Sequence, residues 1–234
     1  MTGGCKPPLD DRRSSSSEAT YEVQILGDSY FDFDFYIPDE LKNLSGWEFY
    51  DRSVTNSELS DISKQFDAVL ADEKADGTYT VSTIIINGGA NDLKSPCVTS
   101  KNRDGLSSGC TDALIASREA IKNLLAKMAG EVESIVWAGR YYMAESTAPQ
   151  AAVDAHNENI IAECAKYTNC YFVEVRGYEN DGDDLRWSYA EGTPADEGGL
   201  YIKNDGQHVT EKGAVRIATL IWQVMMDNGV YPYR

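Results

Sequence analysis

Five short apolar runs, each cut off by Gly, Asn or Asp, alternate with longer segments of helical periodicity, and that alternation leaves few ways for the chain to fold. The apolar runs are Tyr21–Leu26, Trp47–Val54, Val81–Asn87, Ser134–Gly139 and Tyr171–Val175, all of strand length. Between them, the stretch opening at Ser57 and running to about Ala71 sets Leu59, Ile62, Phe66 and Leu70 on one face at helical spacing. Thr111–Met128 does the same with Leu114, Ile121, Leu124 and Leu125, and similar faces recur in Gln150–Tyr167 and Thr210–Asn228. Thr210 and Glu211 at the start and Gly229 at the end of the last segment fit helix capping. Such an order predicts a three-layer α/β/α domain around a central parallel sheet of five strands, flavodoxin-like in order, with right-handed crossovers. Functional residues then belong in the loops at the carboxyl ends of the strands.

A chain of 234 residues suits one such domain and buries roughly 70–75% of the surface its unfolded form exposes. The domain is expected over residues 21–234, with residues 1–20, rich in Ser, Pro and charge, as a flexible tether. Thr2-Gly3-Gly4-Cys5 looks like the remainder of a bacterial lipobox, in which Cys5 carries a lipid anchor; a ragged terminus is the alternative. No run approaches the roughly 18 apolar residues of a membrane-spanning helix. The net charge of -17 argues against nucleic acid or an anionic membrane as a direct partner, since either would repel the chain.

Cys97 and Cys110 bracket a polar loop, and Cys164 and Cys170 bracket a short turn between a helix-like and a strand-like run. Local pairing is easy in both, and disulfides there would imply an oxidising, extracytoplasmic compartment. Small buried thiols are the alternative. A metal site is not expected, because neither histidine stands at ligand spacing from a cysteine pair.

Chemistry-bearing residues gather where the fold would put them. Gly27-Asp28-Ser29-Tyr30 follows the first run, Ser53-Val54-Thr55-Asn56-Ser57 ends the second, Gly88-Gly89-Ala90-Asn91-Asp92 follows the third, and Asp205-Gly206-Gln207-His208 precedes the last helix. Each motif alone is as readily a turn or a helix cap. In this order, across residues 21–229, they resemble the block pattern of the SGNH (GDSL-type) hydrolases. The resemblance implies Ser29 as nucleophile, His208 as general base, Asp205 as the carboxylate that orients it, and an oxyanion hole from the Ser29 N–H, the Asn91 amide and a backbone N–H at Asn56. The family usually has Gly where this sequence has Asn56.

The residues support the same chemistry independently. A serine hydroxyl is a weak nucleophile until a base takes its proton, and histidine is the side chain matched to that task at neutral pH. Of the two histidines, His208 sits in a Gly-containing loop after an acid, whereas His156 falls inside a helix, where a solvated or capping role is expected. No Gly-x-Ser-x-Gly elbow is present, which disfavours the α/β-hydrolase architecture. Asp181-Gly182-Asp183-Asp184 reads as solvated acid rather than a calcium loop. Tyr30, Tyr141 and Trp187 are candidate substrate-binding aromatics, with core packing the equal alternative.

The expectation is a serine esterase working through an acyl-Ser29 intermediate without metal or organic cofactor, on short-chain acyl esters or acetylated carbohydrate. A lipase or lysophospholipase, an acyltransferase, or a binding protein that has lost activity at Asn56 are the rivals. The sequence is silent on oligomeric state.

Overall fold

A computed structural model of the chain describes residues 23–32, 36–76, 81–98, 106–141, 150–176 and 208–230. The proposed tether, Trp187, Asp205 and the Asp181–Asp184 run lie outside these residues. The sheet consists of β1 (Val23–Leu26), β2 (Tyr50–Asp51), β3 (Thr83–Ile86), β4 (Ser134–Ala138) and β5 (Cys170–Val173). All pairs are parallel and the order is β2-β1-β3-β4-β5, the flavodoxin-like arrangement.

Side-chain alternation divides the strands between two cores. Val23, Ile25, Ile85 and Val136 face one side, where α2 (Tyr36–Ser45) and α7 (Glu211–Asp227) supply Ile37, Leu41, Ile217 and Ile221. Leu26, Ile84, Ile86 and Trp137 face the other, against Ile62 and Phe66 of α3 (Leu59–Asp76) and Ile121 and Leu125 of α5 (Ser108–Met128). With helices on both faces, Thr83–Ile86 is buried at every position. This explains why it reads in the sequence as an unbroken apolar run.

Two other helices begin at strand ends: α1 (Ser29–Asp32) after β1 and α4 (Ala90–Val98) after β3. Cys97 at the end of α4 is bonded to Cys110 in the first turn of α5, with Cα atoms 4.6 Å apart. The bridge packs with Leu93, Leu114 and Ala152 in a small third core. Cys164 at the end of α6 (Gln150–Cys164) is bonded to Cys170 of β5. The capping residues of α7 behave as their types suggest. Thr210 Oγ1 accepts from Gly213 N–H, and Gly229, at φ 66, lets Val230 N–H return to Met225 O.

The second strand is shorter than the run Trp47–Val54 predicts. Only Tyr50 and Asp51 pair with β1 as strand; beyond them the contact continues as single backbone bonds, from Arg52 N–H to Ile25 O at 2.8 Å and from Val54 N–H to Gly27 O at 3.0 Å, while Ser53 N–H and Oγ–H both donate to Asp51 Oδ1 at 2.9 and 2.5 Å. After Val54 the chain leaves the sheet edge in the turn that ends at Ser57. Among the described residues, no helix is long and apolar enough to cross a membrane.

Candidate active site

The carboxyl ends of β1, β3 and β4 form one cleft, about 40 Å³ in volume. Ser29 enters it as the first residue of α1. Gly27 lets the chain turn there, since a Cβ at that position would collide with the Asn87 side chain. Asn87 uses that proximity: Oδ1 accepts from Asp28 N–H at 3.3 Å and Nδ2 donates to Asp28 Oδ1 at 2.8 Å. The Asp28 carboxylate also accepts from Tyr30 N–H at 2.9 Å. Burial holds the Asp28 carboxyl above the usual carboxylate range, opposed by those hydrogen bonds and by the charges of Arg140 and His208.

His208 lies 179 residues from Ser29 in the chain, yet its Nε2 is 3.1 Å from Ser29 Oγ. The histidine stands two residues before Thr210, the cap of α7, so the same helix that packs the core fixes the backbone that carries it. Asn91, in the first turn of α4, donates from Nδ2 to Ser57 O at 2.9 Å. A primary amide has two N–H bonds; one anchors the side chain and the other remains for a ligand in the cleft, which Asn91 lines together with Ser29 and His208.

No protein-family model matches the sequence, and no curated protein matches it. Solved structures do. LAE5, an alpha/beta hydrolase enzyme from the metagenome of Lake Arreo, superposes with a TM-score of 0.61 at 16% identity over 91% of this chain and 96% of that one. Axe2, an acetylxylan esterase from Geobacillus stearothermophilus, gives 0.60 at 14% identity over 91% and 95%. A putative SGNH hydrolase from Slackia heliotrinireducens gives 0.52 at 14% over 87% and 97%. The chain has the SGNH hydrolase fold.

Within that SGNH fold the remaining sequence candidates are placed unevenly. The bond from Ser57 N–H to Val54 O, 3.1 Å, closes a four-residue turn whose third residue, Asn56, has φ 67. It is the sole non-glycine residue with positive φ among the described residues, in a turn position that favours Gly or Asn. Asp32 holds the turn, its Oδ2 accepting from Thr55 N–H and Oγ1–H at 2.8 and 2.6 Å. Asn56 itself is exposed and is not among the residues lining the cleft. Tyr30 and Tyr141 both line it, their rings stacked at 5.0 Å, and Tyr30 Oη donates to Gly139 O at 3.4 Å. Burial raises the Tyr30 phenol well above its ordinary pKa, so it stays a neutral donor.

His156 departs from the solvated or capping role expected of it. It is fully buried. Its Nε2 is 2.9 Å from Gly88 O and its Nδ1 is 3.2 Å from Ser117 Oγ. A carbonyl only accepts, so Nε2 carries the proton and Nδ1 accepts from the Ser117 hydroxyl. Burial, then the charge of Arg140, push its pKa down to about 4, against the pull of the Gly88 bond.

Arg140 and Lys94 also line the cleft and went unremarked in the sequence. Arg140 stands two residues beyond Ala138, the last of β4, so the rule of strand carboxyl ends was the signal that could have found it. Among the described residues, no group of His, Cys, Asp and Glu is arranged to hold a metal ion.

Proposed function

We propose that this chain is a serine hydrolase of carboxylic esters. The observation that carries the proposal is the 3.1 Å approach of His208 Nε2 to Ser29 Oγ at a cleft the Asn91 amide shares. His208 takes the Ser29 proton as Oγ adds to the ester carbonyl. The oxyanion is met by the second Asn91 N–H and by Ser29 N–H, which as the first in its helix has no intrahelical acceptor; Asn56, outside the lining of the cleft, is not assigned a part. Collapse expels the alcohol with the proton from His208, leaving acyl-Ser29, and water repeats the sequence. Asp205 is assigned the remaining ring nitrogen, to hold the tautomer and stabilise the imidazolium.

Short acyl esters, with acetylated carbohydrate first among them, suit the narrow cleft and its Tyr30–Tyr141 wall. That one neighbour of the same fold is an acetylxylan esterase favours the choice over a lipid ester. The two disulfides favour an extracytoplasmic location, and the lipid anchor at Cys5 rests on the sequence alone. A chromogenic ester panel of increasing acyl length, with Ser29→Ala as control, tests the reading. Hydrolysis that falls with acyl length and vanishes in Ser29→Ala is expected. Hydrolysis that survives in Ser29→Ala refutes the nucleophile, and a wild type inert on every ester and unlabelled at Ser29 by an organophosphonate refutes the enzyme.

A further inference from the structure

A fully buried imidazole inside a helix needs a reason, because desolvation penalises it unless both nitrogens find partners. The partners of His156 are informative. Ser117 belongs to α5, but Gly88 O lies in the connection from β3 to α4, only three residues before Asn91. The next residue, Gly89, has φ +94, and a Cβ there would run into the His156 ring at Cε1 and Nε2. Backbone therefore rests directly on the imidazole. On its other flank the connection meets α3, since a Cβ on Gly88 would strike Ile62 Cδ1. The peptide between the two glycines is gripped from both sides, and α4 starts from it, with Leu93 N–H donating to Gly89 O at 3.3 Å.

The neighbouring residue on the same helix performs a parallel task on the next strand. Asn157 Oδ1 accepts from Arg140 N–H and its Nδ2 donates to Arg140 O, both at 2.7 Å. Consecutive polar residues of α6 thus fix the chain just beyond β3 and just beyond β4, where both segments line the cleft.

We propose that His156 is a positioning residue for the oxyanion hole: by donating to Gly88 O and supporting Gly89, it sets the start of α4 and so the aim of the free Asn91 N–H. The proposal rests on the reading of Asn91 as an oxyanion donor. One Asn91 N–H is tied to Ser57 O, so the second points wherever the first turn of α4 places it. A displacement of about 1 Å at such a donor is worth up to about 100-fold in rate.

The test compares His156→Gln, whose amide spans the distance to Gly88 O and offers Ser117 an acceptor, with His156→Asn, whose shorter amide fails to reach Gly88, and His156→Leu. Each is made with Asn91 present and in Asn91→Ala, and kcat and KM are measured on an acetyl ester with the folded fraction set by near-UV circular dichroism. Expected is near-wild-type kcat for Gln, a loss of about 10- to 100-fold in kcat with KM little changed for Asn and Leu, and no further loss from either in Asn91→Ala. Folded Asn or Leu variants with full kcat, or losses that persist undiminished in Asn91→Ala, overturn the proposal. Failure of both to fold would also overturn it, making His156 a determinant of folding instead. A wild type without esterase activity fails the functional reading itself, which the ester panel reports separately.

Discussion

Protonating His156 should weaken the fold across a defined pH window. Its folded pKa is about 4, against an ordinary 6.5, with burial the main cause and the Arg140 charge the second. Above pH 6.5 both folded and unfolded chains hold the ring neutral, and the group contributes its full stability. Below 6.5 the unfolded chain takes up a proton that the folded chain refuses until about pH 4. Stability therefore falls as pH drops through this interval and levels off beneath it. The gap of about 2.5 pH units, at about 1.4 kcal/mol per unit, amounts to about 3 kcal/mol. Asp28 and Asp92, whose carboxyls burial holds above their usual range, act in the opposite sense: their folded forms accept protons more readily, so they favour the fold as pH falls. The single-protein curve mixes these effects. The difference between wild type and His156→Gln isolates the imidazole. Urea unfolding at pH 7, 6, 5 and 4.5, analysed at constant m-value, should show the variant gaining on wild type by most of that 3 kcal/mol. Parallel curves across the window would refute the argument, whatever their offset at pH 7.

Replacing His208 with Ala should lower the acylation rate by several orders of magnitude, and Asp205→Asn by somewhat less, with the fold intact by circular dichroism. Asn91→Ala should cost roughly 10²–10³ in turnover on every substrate, since it deletes a donor, whereas Asn56→Gly, at an exposed turn outside the cleft, should leave activity on acetyl and longer acyl esters nearly unchanged. If Asn56→Gly instead creates activity absent from wild type, the chain is a degenerate hydrolase. Cys97→Ser with Cys110→Ser should lower unfolding stability by on the order of 3 kcal/mol, and peptide mapping without reductant should recover both bonded pairs, Cys97–Cys110 and Cys164–Cys170.

The sheet was legible because β1, β3 and β4 bury both faces, so apolar runs stand out against the helical segments. Strand lengths were less so: of Trp47–Val54 only Tyr50 and Asp51 pair as strand, the contact beyond them thinning to single backbone bonds around the polar Asp51–Ser53 contact, and such a local feature leaves no mark in apolar periodicity. Three helices also escaped, the first being the single turn Ser29–Asp32. Tyr36–Ser45 contains Pro38 and turns only Ile37, Pro38 and Leu41 inward, and Ala90–Val98 carries Pro96; both are too short for a helical period to show. Ser29, Asn91 and His208 were singled out because reactive residue types follow glycines in the loops that open α1 and α4 and precede α7. His156 was misjudged because its main partner is 68 residues away, and only the fold reveals that a polar residue on the inner face of a helix meets an open peptide group there.

That peptide group belongs to a general problem of parallel sheets. The ladder ends at the carboxyl edge, and the N–H and C=O groups just past it are buried without the neighbours that satisfied the strand, each costing roughly 1–3 kcal/mol if left open. Here side chains supply what the ladder no longer does: from the helices, Gln65 binds both N–H and C=O of Gly27 at 2.9 Å, His156 binds Gly88 O, and Asn157 binds both backbone groups of Arg140; from the end of β3, Asn87 Oδ1 accepts from Asp28 N–H at 3.3 Å. Such bonds have length and direction, which apolar packing lacks, so they locate the loops as well as satisfy them. A catalytic hole needs donors fixed before charge develops, since reorienting them during reaction would return the gain. The same hydrogen bonds that make the sheet edge tolerable thus preorganise the site. It follows that mutating Gln65, Asn87 or Asn157, none of which is a candidate for chemistry, should lower turnover out of proportion to any loss of stability.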